Sequence, residues 1–279
     1  MKKVIILTMT TLLLISCDST NRQYKAIIEI LNIEKPLSRE NMEKARLMIL
    51  ETTDFTAAQA IDLQGKFTDY MQAYASKEAL RIEDKFNTIY NGNDAELISK
   101  QVDSLNREID TLRKYGIIIY SAEGFVESEV MPMYITETFW KYLTEAEKKL
   151  SQLAEFEVED PSIQDAAITV PFQELCNRLK LSDQMATAFP EDELYPQILA
   201  CQQYYLSLLM VGVDNSPAYN WETHLFEAEN KQAILNYIAE NPSASSTPIL
   251  KEFMALLETS KYKSTPEIER FIAIKLDQH

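Results

Sequence analysis

The sequence predicts an all-α fold, a multi-helix bundle or irregular helical array with at most a small β element near residues 117–130. Three observations carry this. Glycine is scarce, 5 residues in 279, against roughly 7% in average proteins, and sheet-rich folds tend to need glycine at their turns. Leu, Ala, Glu, Lys and Gln, all good helix formers, are plentiful. Apolar residues recur at alternating spacings of three and four over long stretches, the period of a helix with one buried stripe. With 46% apolar and 10% aromatic residues the chain builds a sizeable core, which excludes general disorder. Its length fits one large or two small domains.

The elements follow in order. Residues 24–34 read as a first helix, stopped by Pro36. Ser38 caps a second that runs to about Leu50, and Thr53 or Asp54 caps a third. From there to Tyr90 the only breaker is Gly65. Within this stretch Ala75, Ala79, Ile82, Phe86 and Ile89 fall at steps of 4, 3, 4 and 3. Asn91, Gly92, Asn93 and Asp94 form a turn signal, after which Ile98, Val102, Leu105, Ile109 and Leu112 repeat the same steps. Two such seams about a short turn predict an antiparallel helical hairpin with coiled-coil-like packing, part of a bundle rather than a protruding arm.

Gly116 breaks the pattern, and residues 117–120 and 124–130 read as extended. Residues 116–131 are therefore expected as a small hairpin or extended crossover between an N-terminal helical part, 24–115, and a C-terminal part, 132–279. In the second part, helices are predicted over 133–142 and 145–156, joined by a capping box at Thr144 and Glu147. Pro161 and Pro171 interrupt, and a helix follows over 172–181. The strongly apolar residues 195–213 are expected at the centre of the core. Helices near 221–239, 247–258 and 266–275 complete the chain, the last opened by Ser264-Thr265-Pro266-Glu267, which combines a cap with Pro in the first turn. The helix pairs show no constant period and no recurring consensus of a solenoid.

The amino terminus is the most specific segment. Lys2 and Lys3 precede a short apolar run, Val4 to Ile15, whose end continues into Ser16 and Cys17 as Leu14-Ile15-Ser16-Cys17. The run is short of the roughly 20 residues that span a bilayer and has the length and basic flank of a signal peptide. The four residues resemble the lipobox of bacterial lipoproteins. The resemblance implies a signal peptide over residues 1–16, lipid attachment on Cys17 (a diacylglyceryl thioether, with palmitate-type chains), and a lipidated tether over 17–23. It also implies a place in the cell envelope, facing periplasm or exterior, in the outer membrane if the bacterium is Gram-negative. Two or three acyl chains suffice for stable anchoring. The formal charge is −16, and loss of Lys2 and Lys3 makes the chain more acidic still. Anionic phospholipid and nucleic acid repel such a chain, so membrane contact is expected through the lipid alone and nucleic-acid binding is not expected.

Motifs for chemistry are few. The two histidines are His224, near Glu222, and the final His279. No His-Glu-x-x-His, Cys-x-x-Cys, Gly-x-Ser-x-Gly or P-loop pattern occurs. No catalytic residue, metal or cofactor is therefore expected. Cys176 and Cys201 lie on two predicted helices either side of a turn, in a compartment that permits disulfides. They read either as a bridge or as two separate thiols acting as small hydrophobes. The acidic run from Glu155 to Asp160 reads as a solvated loop, without the ligand pattern of a calcium loop. Aromatic residues are more telling. Tyr120, Phe125, Tyr134 and Trp140, with Phe139 and Tyr142, cluster about the extended segment; Tyr195, Tyr204, Tyr205, Tyr219 and Trp221 form a second group. Tyr120, Phe125, Tyr134 and Trp140 are the candidate ligand-binding residues, where a cleft for a peptide, glycan or protein partner is expected. The function expected is that of a non-enzymatic binding or accessory module of the envelope, with a carboxylate-based envelope glycan hydrolase or lyase as the alternative.

Overall fold

The computed structural model describes residues 19–91, 95–122 and 125–276. The lipobox with Cys17, the turn residues 92–94 and His279 lie outside the described residues. The fold is all-α with small two-stranded sheets, as the sequence predicts. Among the described residues no helix is long and apolar enough to cross a membrane. The chain forms two compact units that divide between Leu143 and Thr144.

The first unit comprises α1 (residues 19–30), α2 (Arg39–Glu51), α3 (Ala57–Tyr90), α4 (Ala95–Arg113), β1 (Ile117–Ala122), β2 (Phe125–Val130) and α5 (Pro132–Phe139). A single 3-10 turn, Trp140–Tyr142, closes it. Ser38 caps α2 as expected, accepting from the Asn41 amide. The cap of α3 is Thr56 rather than Thr53 or Asp54. Thr56 has Gln59 three residues on, and the two close a capping box that satisfies two end groups at once. The 34 residues of α3 make a spine about 50 Å long at the helical rise, burying Leu63, Phe67, Tyr70, Met71, Tyr74, Ala75, Ala79, Ile82 and Ile89.

The predicted pairing of α3 with α4 is present, with one departure. Phe86 is 41% exposed and packs on Tyr90, ring centroids 4.5 Å apart. Ion pairs from Arg81 and Lys85 to Glu108, at 2.7 Å each, hold α4 over the flank of α3 that carries Glu78, Arg81 and Lys85. Phe86 is left at the uncovered edge. On α4, Leu105 and Leu112 are buried, while Ile98, Val102 and Ile109 are only partly covered.

The extended segment is a hairpin, with Ile117 opposite Val130 and Tyr120 opposite Glu127. Opposed residues share a face. One face puts Ile117, Ile119, Val126 and Val130 into the core around α3; the other carries Tyr120, Phe125, Glu127 and Glu129. Gly116 enters the hairpin at φ +75°, and a Cβ there would overlap the Tyr134 ring. Phe139 of α5 completes the same core, edge-on to Phe67 at 6.0 Å. This packing is why the division between units falls after α5 and not at residues 116–131.

The second unit comprises α6 (Glu145–Glu159), α7 (Phe172–Ala188), α8 (Tyr195–Met210), α9 (Ala228–Glu240), α10 (Thr247–Thr259) and α11 (Pro266–Leu276). Short pairs β3 (Ile163–Gln164) with β4 (Ala167–Ile168), and β5 (Gly212–Val213) with β6 (Ser216–Pro217), form two of its turns. Thr144 and Glu147 form the predicted capping box. The central place of α8 is realised: Ile198, Tyr205, Leu206, Leu208, Leu209 and Met210 are all buried.

The end of α7 and the start of α9 depart from expectation. Helix α7 continues past Leu181 to Ala188 because its polar residues there have tertiary partners. The buried Asp183 accepts from Tyr237, Gln202, the Ser245 hydroxyl at 2.7 Å and both the amide and hydroxyl of Ser246. Residues 221–227 are not helical. They turn through His224 at φ +57°, bridged by Tyr219 to Phe226, and α9 starts at Ala228.

Candidate functional site: an arginine-lined cleft

None of the four predicted aromatic residues lines either of the two clefts along α3 and α4. Tyr120 lies on the outer face of the hairpin, its single hydroxyl hydrogen shared between Glu127 at 3.1 Å and Glu129 at 3.0 Å. Burial and these two carboxylates push its pKa far up. Phe125 stands 66% exposed at the hairpin end. Tyr134, at the other side of the segment, is tied down: its hydroxyl donates to Glu43, and the Arg46 guanidinium lies 4.5 Å over its ring. Trp140 is 49% exposed on the 3-10 turn. Tyr134 thus serves packing, Tyr120 holds two acidic side chains, and Phe125 and Trp140 are surface rings.

The other sequence candidates resolve into structure as well. Cys176 and Cys201 are free thiols, so the reading as separate small hydrophobes is the one realised. Cys176 is buried, its Sγ 3.6 Å from the Ala233 carbonyl, and burial pushes its pKa up to about 12. The run from Glu155 to Asp160 is not a solvated loop. Glu155 to Glu159 form the end of α6, and Glu157 accepts from Ser162, Tyr205 and Arg178. Among the described residues no group of three or more His, Cys, Asp or Glu side chains is placed to hold a metal ion.

The arrangement with the most chemical content lies where α2, α3 and α4 meet. A cleft of about 410 Å³ is lined by Arg39, Tyr74, Glu78, Arg81, Ser104, Arg107, Glu108, Thr111 and Leu112. Beyond Ser104 and Glu108 a second cleft of about 370 Å³ continues between α3 and α4, past Lys85 and Ile89. Arg39 is the first residue of α2, directly after its Ser38 cap. A cation at that end opposes the helix dipole at a cost of about 0.3–1 kcal/mol. Glu78 and Arg81 come from α3, where the apolar stripe gives way to charge as α4 crosses it. Arg107 and Glu108 come from the flank of α4.

The charges divide into two groups. Arg81 is committed: Nη2 lies 2.8 Å from Glu78 and Nη1 2.7 Å from Glu108. Lys85 adds a second cation to Glu108 at 2.7 Å. Hydrogen bonds from Lys85 and Arg81 hold the Glu108 carboxyl below the usual carboxylate range, so it stays ionised at neutral pH. Arg39 and Arg107 are not committed. Arg39 places its guanidinium 4.7 Å over the Tyr115 ring and makes no ion pair or hydrogen bond among the described residues. Arg107 is exposed, and its guanidinium likewise makes none among the described residues. Tyr74 is 6% exposed, and its hydroxyl has no hydrogen-bond partner among the described residues. Burial and Glu78 raise its pKa, with Arg39 and Arg81 pulling the other way. It remains a neutral donor.

Sequence reasoning missed this site because Arg39, Tyr74 and Arg107 lie far apart along the chain and share no motif. One signal was legible: an arginine directly after a serine cap is at the wrong end of a helix for its charge. Comparison with protein-family models, curated proteins and solved structures finds no match for this chain, so the reading of the cleft rests on its geometry alone.

Proposed function

We propose that the protein is a membrane-anchored lipoprotein of the cell envelope, held by lipid on Cys17, and that it acts as a binding or accessory module through the cleft between α2, α3 and α4. One observation carries the binding reading: two guanidiniums without an anionic partner among the described residues line a cleft of about 410 Å³ in a chain of formal charge −16. A surplus of acid elsewhere on the chain would satisfy free arginines readily. Leaving two uncompensated in one concave place favours a ligand. The ionised Glu108, fixed between Lys85 and Arg81, suits a permanent charge and not the proton donor that a glycan hydrolase needs.

Two measurements test the proposal. Cys17→Ala should abolish incorporation of labelled palmitate and leave an uncleaved or soluble form; equal labelling of variant and native chain removes the anchor. The purified full chain should bind an envelope glycan or peptide without turnover. Release of product, lost in Glu78→Gln while the fold is retained, makes the protein an enzyme and removes the module.

A further inference from the structure

We infer that the cleft takes an oxyanion, a carboxylate or phosphate group, held between Arg39, Arg107 and the Tyr74 hydroxyl. The inference rests on the reading of the chain as a binding module and names the chemistry of its ligand. Glu78 and Glu108 are already engaged by Arg81 within the cleft and, for Glu108, by Lys85 from the neighbouring cleft, so the cations left without an ion pair among the described residues are Arg39 and Arg107. A guanidinium has donors and no acceptor, and Tyr74, neutral and without a hydrogen-bond partner among the described residues, has a hydroxyl hydrogen to give. The two guanidiniums and the Tyr74 hydroxyl thus offer donors against a positive surplus, the complement of a carboxylate or phosphate with its acceptor oxygens and negative charge. Planar guanidinium groups match both ligands in geometry.

The donors come from three different helices, so a group between them is approached from several sides. Stacking of Arg39 on Tyr115 limits the freedom of that side chain before any ligand arrives. Tyr74 is 6% exposed and lines the cleft. A volume of about 410 Å³ lies within the range of small-molecule sites, about 300–1,000 Å³. It has room for the group and part of what carries it.

The test uses the full chain in neutral detergent, titrated by calorimetry with inorganic phosphate and, separately, with succinate, ionic strength being held constant with chloride. Saturable binding of phosphate alone assigns a phosphate ligand, of succinate alone a carboxylate ligand, and of both a general oxyanion site; each supports the inference. Arg39→Gln and Arg107→Gln should each weaken binding about tenfold or more, and Tyr74→Phe severalfold, as expected for loss of a charge-assisted and a neutral hydrogen bond. Unchanged unfolding curves establish that the variants are folded. Absence of saturable binding by either ion overturns the inference, as does equal binding by native chain and Arg39→Gln/Arg107→Gln double variant. Failure here is distinct from failure of the binding module. A glycan or peptide bound equally by native chain and double variant leaves the module standing without the oxyanion site. Oxyanion binding accompanied by product release leaves the site standing and makes the protein an enzyme.

Discussion

Arg178 in the second unit and Arg39 with Arg107 in the first show two uses of one side chain. Arg178 is 2% exposed and fully engaged. Its Nη1 reaches Glu157 at 2.8 Å and Ser162 at 3.0 Å, Nη2 reaches the Asp160 carbonyl at 2.9 Å, and Nε reaches Glu174 at 3.2 Å. Tyr205 adds a donor to the same Glu157 oxygen at 2.7 Å. Every strong polar group there has an internal partner, so the network fixes the end of α6 against α7 and α8. Arg39 and Arg107 have no such partner among the described residues and face a cleft. A guanidinium that has given its donors to the fold has nothing left for a ligand, and one that has kept them contributes little to the fold.

The largest test of this contrast is Arg178→Met. Removing one member of a buried ion-pair network strands its partner, and a loss of about 3–5 kcal/mol is expected on chemical denaturation. A loss under about 1 kcal/mol would mean that the network is not a support and that Arg178 resembles the cleft arginines after all. Next in size are the seam residues of α3. Ile82 is 2% exposed, and Ile82→Ala should cost about 2–5 kcal/mol. Phe86→Ala should cost about 1 kcal/mol, since the residue is 41% exposed and mainly gives up its pair with Tyr90. Equal losses would place Phe86 in the seam and the cover of α4 over it.

A smaller effect separates the networks by pH. Burial pushes the Glu157 carboxyl up, but hydrogen bonds from Ser162, Tyr205 and Arg178 outweigh it and leave the pKa lowered. A lowered native pKa stabilises above the ordinary carboxylate range and is lost as pH falls through the native value. The second unit should therefore lose stability on acidification below that range, and Glu157→Gln should flatten the slope. A slope identical in variant and native chain would remove Glu157 as its source. Smallest of all, Arg107→Gln should change stability by no more than about 0.5 kcal/mol. A larger loss would show that Arg107 works for the fold and would weaken its standing as a ligand group.

Much of the fold was legible in the chain. Scarce glycine and the steps of three and four gave the all-α class, the α3–α4 pairing and the central α8, because burying one stripe of a helix imposes its period on the sequence. Caps were legible where cap and partner lie three residues apart, as at Thr144 and Glu147. What depends on long-range contact was not. The end of α7 waits on Asp183 meeting Tyr237 and Ser246, and the position of Phe86 waits on which flank α4 covers. The predicted aromatic groove was read from nearness along the chain, but Tyr134 and Tyr120 were claimed by Glu43 and by Glu127 with Glu129. In the same way the acidic run after Glu155 looked like a solvated surface until Arg178, from another helix, took one of its carboxylates.

By itself, then, the sequence determined the helical class, most element positions, the lipobox resemblance and the acidic surface, all of which depend on residues close together in the chain. Tertiary structure alone decided which arginine is spent and which is free. That choice turns on whether an anion from a distant segment comes within hydrogen-bond reach, and no local pattern encodes the meeting of residues 39, 74 and 107.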